Sequence, residues 1–600
     1  MSNSKPQIPM KTHYTSPSGS KKDIRQLMRV ALAQEFADLA VVNSRLLNVY
    51  TGELLEGLAV CTKGSWIAYV GKDTEKKIGP QTEIIDAAGK MLVPGLIDGH
   101  THLAWLGSVA AFLEPIMAGG TTALVTESLE VYAVAGLAGV NDFLAALSDQ
   151  PIKIFSTAPF MASISRRAHG IDSADLNELL SREDIVGLGE SYWQTVLQKP
   201  DLAVPTLEAA LHTGKTLEGH TAGARGDKLA AYLAAGISSC HEPITAGEVL
   251  ERLRLGIHVM IREGSIRRDL EAIAAIKDSG VDTRRLILVT DGLSPQDLTE
   301  KGGMEFVVRK AIDRGFDPIV AVQMATLNVA EHFRLDTVIG GIAPGRSADM
   351  LVIPDLRTFR ADIVISNGKV IARQGRLLAE PRRHRYLPAS LTSVLLPNDV
   401  QPTDFEIAAE GTTRVRVRVI EMVTDLVTKE TVLDLSVIDG RINADPGRDL
   451  AKVAAIDRTH VPGKIFVGLM KGFGLKNGAL ACSAAWDTSD IIVAGVGDGD
   501  MAAAVNRIRE LQGGVVVVAD GTIEAELPLP VFGLMSEETL QRVAAKLAEV
   551  KSSVSRLGCP FPDPLLTLVT LTGAAIPYLR ICEEGLVNLK NGATVGLFAN

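Results

Sequence analysis

Between residues 96 and 292 the chain repeats one grammar eight times: a short apolar run that ends in a polar or ionisable group, followed in most cases by an amphipathic stretch. The runs are LIDGHTH (96–102), TTALVTE (121–127), IKIFSTA (152–158), IVGLGE (185–190), TLEGHT (216–221), GISSCHE (236–242), HVMIREG (258–264) and LILVTDG (286–292). Strands that alternate with helices form a parallel sheet, because neighbouring parallel strands need a crossover to return the chain to the same edge. Eight such units close a (β/α)8 barrel. The intervening DKLAAYLAAG (227–236), AGEVLERLRLG (246–256), RRDLEAIAAIKDSG (267–280) and MEFVVRKAIDRG (304–315) place apolar residues three and four apart and end in a glycine suited to a helix C-cap.

The flanks follow a different pattern. DLAVVNSRLLNVYTGELLEGLAVCTKGSWIAYVG (38–71) and SADMLVIPDLRTFRADIVISNGKVIARQGRLL (347–378) are β-branched runs cut by turn signals. Asn43-Ser44 and Asn367-Gly368 read as turns of one split sheet, whose halves enclose the barrel as an insert. Past residue 390, TTRVRVRVIEMV and GGVVVVADGTIEAELPL alternate with the helical DMAAAVNRIRELQG and SEETLQRVAAKLAEVKSSVSRLG. The expected fold is therefore α/β: a (β/α)8 TIM barrel inserted in a small split β-sandwich domain, plus a C-terminal α+β domain. The expected boundaries are an N-terminal extension at 1–36 with a helix over Lys22 to Phe36, the composite β domain at 37–92 and 346–385, the barrel at 93–345 and the last domain at 390–600.

Composition narrows the partners. A formal charge of −10 with Lys and Arg dispersed along the chain gives no electrostatic footprint for nucleic acid. Five scattered cysteines without a C-x-x-C spacing indicate neither a disulfide framework nor a thiolate zinc site. The polar first twenty residues lack the apolar core of a signal peptide, and no run of 18 apolar residues occurs, so a cytoplasmic protein that avoids membranes is expected.

Several of the eight runs end in a metal-ligand type. His100 and His102 are two apart, which on a strand points both imidazoles to one face. Glu190, His220, His241 and Asp291 end the fourth, fifth, sixth and eighth runs. Each alone has a structural explanation: a hydrogen-bonded histidine, a capping glutamate, an Asp-Gly turn. Together, four histidines and two carboxylates at the C-terminal ends of barrel strands match a binuclear centre for two divalent ions, and the lack of Cys ligands leaves Zn, Mn or Fe open. Among the other histidines, His212 reads as a surface residue of a helix, and His169, in RRAHGID, as a loop residue that could face substrate. GVGDGD (495–500) lacks phosphate-loop spacing, no G-x-S-x-G elbow occurs in the barrel, and the H-x-E with P-C-x-x-C signature of zinc nucleobase deaminases is absent.

VPGLIDGHTH, the order His-x-His, carboxylate, His, His, Asp, and GGIAPGRSADMLV resemble the amidohydrolase superfamily. More narrowly, GLGE, GHTAG, SSCHEPITAGEVLERLRLGIHVMIREGS, VTDG, MATLNVAEHF, and in the C-terminal part GFGLKNGALACSAAWDTSDIIVAGVGDGDMA and ADGTIEAELPLPVFGLMS, resemble the adenine deaminase family. The resemblance implies that His100, His102 and Asp291 bind one metal, that His220 and His241 bind a second, and that Glu190 bridges them. It also implies hydrolysis of a C–N bond by metal-activated hydroxide, by default adenine and water to hypoxanthine and ammonia, with Asp291 and Glu190 as catalytic residues in a homo-oligomer acting on a small molecule. The alternatives are cleavage of a cyclic amide or an N-acyl or aryl amide, and a catalytically idle barrel scaffold.

The chain departs from the family pattern at Leu103-Ala104-Trp105-Leu106, where Ile-Glu-Ser-Ser is usual, and at Thr126-Glu127-Ser128-Leu129, where Asp-Pro-His-Glu is usual. Asp291-Gly292 stands for Asp-Asp, and Trp486-Asp487-Thr488-Ser489-Asp490 for His-Asp-Ser-His-Asn. Expected substrate contacts are Trp105, Glu127, His169, Glu263 and Trp486. Exchange of polar pocket groups for Trp and Leu leads to the expectation that adenine is a poorer substrate than an N-substituted purine or an aryl amide.

Overall fold

A computed structural model describes residues 22–161, 164–165 and 170–599. All eight runs form strands: β1 (Leu96–Thr101), β2 (Thr121–Thr126), β3 (Lys153–Ala158), β4 (Ile185–Tyr192), β5 (Thr216–His220), β6 (Ser239–Cys240), β7 (His258–Arg262) and β8 (Leu286–Val289). β1 to β5 pair in parallel and in order, as do β6 to β8. Two backbone bonds join these sheets into a ring: Ser238 N donates to Leu217 O at 2.9 Å, and Asp291 N to His100 O at 3.0 Å. Ile97, Val125, Phe155, Val186, Met260 and Ile287, drawn from six strands, pack into one buried cluster. Large branched and aromatic side chains of this kind fill a barrel interior, leaving its C-terminal mouth for chemistry.

The helices at 226–234, 246–254 and 304–313 form where the spacing places them. The 267–280 segment differs: one α turn at Leu270–Ile273 tightens into a 3-10 helix at Ala274–Ser279, ended by Gly280 at φ +67°. The helix Leu129–Leu147 is the one described helix with the length and apolarity to cross a membrane, but 67% of that window is buried inside the protein. It bends at Gly136, whose φ of +57° and ψ of −158° lie outside helical space.

Nine strands from both flanks join in one continuous sheet. Asn43-Ser44 is not a turn between strands. It is a break in register inside the strand Leu39–Asn48, where Asn43 adopts φ +55°. The first half of that strand pairs with Glu83–Asp86 and the second half with Met91 and Leu92, so the irregularity redirects the sheet. Asn367-Gly368 is the expected turn, between Ile363–Ser366 and Lys369–Arg373. The N-terminal helix runs over Ile24–Ala31, capped by Asp23, and stops short of Phe36 because Ala33 takes φ +57°. Leu27 and Val30 pack it on the sheet.

A buried ion pair ties sheet to barrel. Lys153 Nζ, at the start of β3, lies 2.7 and 2.9 Å from the carboxylate oxygens of Asp349 and 2.7 Å from Asn367 Oδ1.

The C-terminal half is built on an eight-stranded sheet flanked by the helices Asp498–Leu511 and Leu540–Arg556. It does not stand apart from the barrel. Met535-Ser536 pairs in parallel with Leu106-Gly107, just beyond β1, and loops of this half reach the barrel mouth.

Candidate metal centre

Two bulges aim the ligands. From Asp98 to Thr101 β1 advances three residues while β2 advances two, Leu124 to Thr126, which leaves an extra residue around Gly99-His100. β4 repeats this, Leu188 to Ser191 against Leu217 to Gly219 on β5, around Gly189-Glu190. Bulges re-aim side chains at barrel rims. Glycine at 189 makes room for its neighbours, because a Cβ there would lie 2.2 Å from Glu127 Oε2 and 2.8 Å from Thr157 Oγ1 and force those side chains to shift. His100 and His102 converge for a different reason than strand alternation. β1 ends at Thr101, so the bulge and the following loop bring the rings to 5.2 Å at right angles. Asp291 is more than a turn residue: at φ +55°, followed by Gly292 at φ +92°, its backbone leaves β8 in the left-handed region and turns its carboxylate into the cluster.

The six residues meet. One nitrogen or oxygen from each of His100, His102, Glu190 and Asp291 lies within 4.8 Å of the others, and the same holds for Glu190, His220 and His241. Glu190 belongs to both groups: Oε1 is 3.1 Å from His100 Nε2, and Oε2 is 3.0 Å from His220 Nε2. Asp291 Oδ1 lies 3.3 Å from His100 Nε2 and 3.5 Å from His102 Nε2. Burial alone would raise the Glu190 carboxyl, but His220, then His100 and His102, hold it well below the usual carboxylate range. Burial pushes His241 down to about 4, whereas at His100, His102 and His220 the neighbouring carboxylates outweigh burial and raise the imidazole, so metal binding there would have to displace protons.

These residues fit metal ions. The Nε2 atoms of His100 and His220 are buried without a hydrogen-bond partner, an arrangement that costs stability unless something else takes the lone pair. Carboxylates sit on the far side of the rings. Glu130 Oε1 is 2.5 Å from His102 Nδ1, Glu242 Oε1 is 2.7 Å from His220 Nδ1, and Glu127 Oε1 is 3.7 Å from His100 Nδ1. Of these, the His102 contact is a hydrogen bond, and Glu130 thereby fixes that ring's tautomer and leaves Nε2 free for a metal; Glu242 and Glu127 lie near His220 Nδ1 and His100 Nδ1 without hydrogen-bonding them. The sequence reading missed Glu130 and Glu242. Glu242, adjacent to His241 at a strand end, carried a local signal, whereas Glu130, in the first turn of a helix, looks like any helix-starting acid.

A cavity of about 280 Å³ opens on this cluster. Of the expected substrate contacts, Trp486 lines it. Glu127 and Glu263 do not. Glu127 accepts from Thr157 Oγ1 at 2.6 Å behind His100, and burial followed by the charge of Glu190 raises it to about 7. Glu263 pairs with Lys310 at 2.7 Å. Trp105 is buried and does not line the cavity; its ring lies 5.5 Å from that of Trp486. His169 lies outside the described residues. The cavity also takes in Tyr192 and Asp487, which the sequence reading did not select.

A closed parallel barrel with four histidines and two carboxylates at its C-terminal mouth defines a metal-dependent amidohydrolase. Residues 91–371 match the Amidohydrolase family, and residues 425–593 match the Adenine deaminase C-terminal domain. The adenine deaminase of Moorella thermoacetica is 38% identical over 577 residues, 94% of this chain and 96% of that protein. That of Dehalococcoides mccartyi is 37% identical over 575 residues, covering 95% and 98%, and adenine deaminase 3 of Rhizobium meliloti 36% over 574 residues, covering 94% and 96%. The chain belongs to the adenine deaminase family.

Proposed function

We propose that this protein hydrolyses adenine to hypoxanthine and ammonia, with the barrel of 93–345 carrying the chemistry and the units at 37–92 with 346–385 and at 390–600 supporting it. The observation that carries the reading is the convergence of six ligand residues, among which the buried Nε2 atoms of His100 and His220 lack a hydrogen-bond partner. His100, His102, Glu190 and Asp291 would hold one divalent ion and Glu190, His220 and His241 a second, of Zn, Mn or Fe type. Bound there, the ions supply Lewis acidity and a nucleophile from water at neutral pH.

The chain's own groups do the rest. Asp291 takes a proton from the attacking water and delivers it to the leaving nitrogen. Its Oδ2 accepts from Arg262 at 3.3 Å, and Arg262 is anchored on Asp269 at 2.8 Å, so the carboxylate is held in one orientation. Identity to adenine deaminases along nearly the whole chain favours adenine over a cyclic or aryl amide. The apolar run at 103–106 does not disfavour adenine by contact, because Leu103, Ala104, Trp105 and Leu106 are buried and none lines the cavity at the cluster. The test is to reconstitute the purified protein with divalent metal, count ions by elemental analysis and follow adenine. Hypoxanthine and ammonia should appear one to one; metal-replete, folded protein that releases neither refutes the reading.

A further inference from the structure

Part of the cavity wall comes from two loops of the C-terminal half, Leu426-Val427 and Ala575-Ile576-Pro577. One side chain reaches both. Arg580, in the strand Leu579–Cys582, is fully buried, and its guanidinium donates to the carbonyl oxygens of Leu426 at 3.1 Å, of Pro577 at 3.1 Å and of Ile576 at 2.7 Å from Nε, with Nη2 closer still. Thr428 knits the same loops together: its N–H donates to Pro577 O at 3.1 Å, and its carbonyl accepts from Tyr578 N at 3.1 Å.

Among the described residues no carboxylate pairs with Arg580, and burial alone acts on it, pulling its pKa down to about 9. A buried cation without a counter-charge is costly, and an apolar side chain of similar length would fill the space more cheaply. What the guanidinium adds is a planar fork of donors that satisfies carbonyls on two separate segments at once. The carbonyls it takes belong to residues that line the cavity. Nothing in the proposed chemistry uses this charge.

We propose that Arg580 is a positioning residue for substrate binding, fixing the two loops that complete the cavity wall beside the metal cluster. Naming adenine as the ligand rests on the functional reading above; the role in holding the loops does not.

The test uses the full-length, metal-loaded protein and two variants, Arg580→Lys and Arg580→Met. Lysine keeps the charge but has no fork to span both loops; methionine removes the charge. In each, metal content should match wild type, KM for adenine should rise about 10-fold, and kcat should stay within about threefold, the mark of lost binding rather than lost chemistry. Hydrogen exchange should quicken in peptides covering residues 424–428 and 573–579. A folded variant with wild-type KM overturns the proposal, even if the loops exchange faster. Failure of both variants to fold also overturns it, because Arg580 would then serve the fold itself. Should wild type leave adenine untouched, the functional reading falls, and loop exchange alone judges Arg580: unchanged exchange overturns its role.

Discussion

The phenol of Tyr192 donates to the carboxylate of Asp487, 3.1 Å from one oxygen and 3.2 Å from the other, across 295 residues of sequence. The same ring stacks on His220 at 4.7 Å. Asp487, at φ +47°, also accepts from Ala574 N at 2.7 Å, and burial raises its carboxyl to about 6. One residue at the end of β4 thus touches a candidate metal ligand on one side and the C-terminal half on the other.

Tyr192→Phe tests this contact. It removes a hydrogen bond to a buried carboxylate, worth about 1.5–3 kcal/mol, while keeping the ring on His220. We expect kcat/KM for adenine to fall about 10-fold with metal content unchanged. Unaltered kinetics would show the contact to be incidental.

Asp291→Asn should keep the fold and lower kcat by about 10²-fold or more, because the amide cannot carry the proton. Steady-state turnover beside a circular dichroism spectrum separates lost chemistry from lost structure. Near wild-type kcat would reassign the proton carrier.

Glu190→Gln should reduce the bound metal, since Glu190 reaches both halves of the cluster. The expected count falls from two ions per chain to one or fewer, and chelation of wild type should abolish activity that divalent metal restores. Equal metal content in the variant would show that Glu190 does not bridge.

Lys153→Met leaves Asp349 buried without its cation and should destabilise the chain by about 3–5 kcal/mol. Lys153→Met with Asp349→Leu removes both charges and should recover most of that loss. Urea unfolding compares the two; an equally unstable double variant would place the cost in packing rather than in the orphaned charge.

Lys215 supplies a pH test away from the cluster. Burial lowers it to about 8, and its Nζ donates to carbonyl oxygens of Arg182, at 2.6 Å, and Ile185. Its folded pKa lies below the unfolded value, so between about pH 8 and 10.5 the unfolded chain binds more protons, and this group makes stability rise with pH across that window. The difference in melting temperature between wild type and Lys215→Met should change in that direction from pH 8 to 10. A difference independent of pH would contradict the shift.

The eight strands were legible because a period of two and a period of 3.6 are local properties that neighbouring residues impose on one another. His100, His102, Glu190, His220, His241 and Asp291 were legible for a related reason: each lies at or within two residues of the C-terminal end of a barrel strand, and closing the barrel brings all those ends to one rim. The mid-strand break at Asn43 was misread as a turn because Asn-Ser favours a positive φ in either setting, and only the pairing partners decide which one forms.

What the sequence determined by itself is the order and kind of these elements and the chemical identity of the ligands. The tertiary structure decided where the side chains around them point. Glu130 became the partner of His102 because the helix after β2 starts beside the barrel mouth, and Glu127 faced His100 Nδ1 because the β4 bulge left only a glycine next to it. Trp105 went into the core against Trp486 and Trp486 into the cavity wall, although the residues alone suggested the same role for both. Such directions depend on bulges, on register and on a C-terminal half that packs against the mouth from hundreds of residues away. A side chain's direction at a strand end is set by contacts distant in sequence, which no local pattern records.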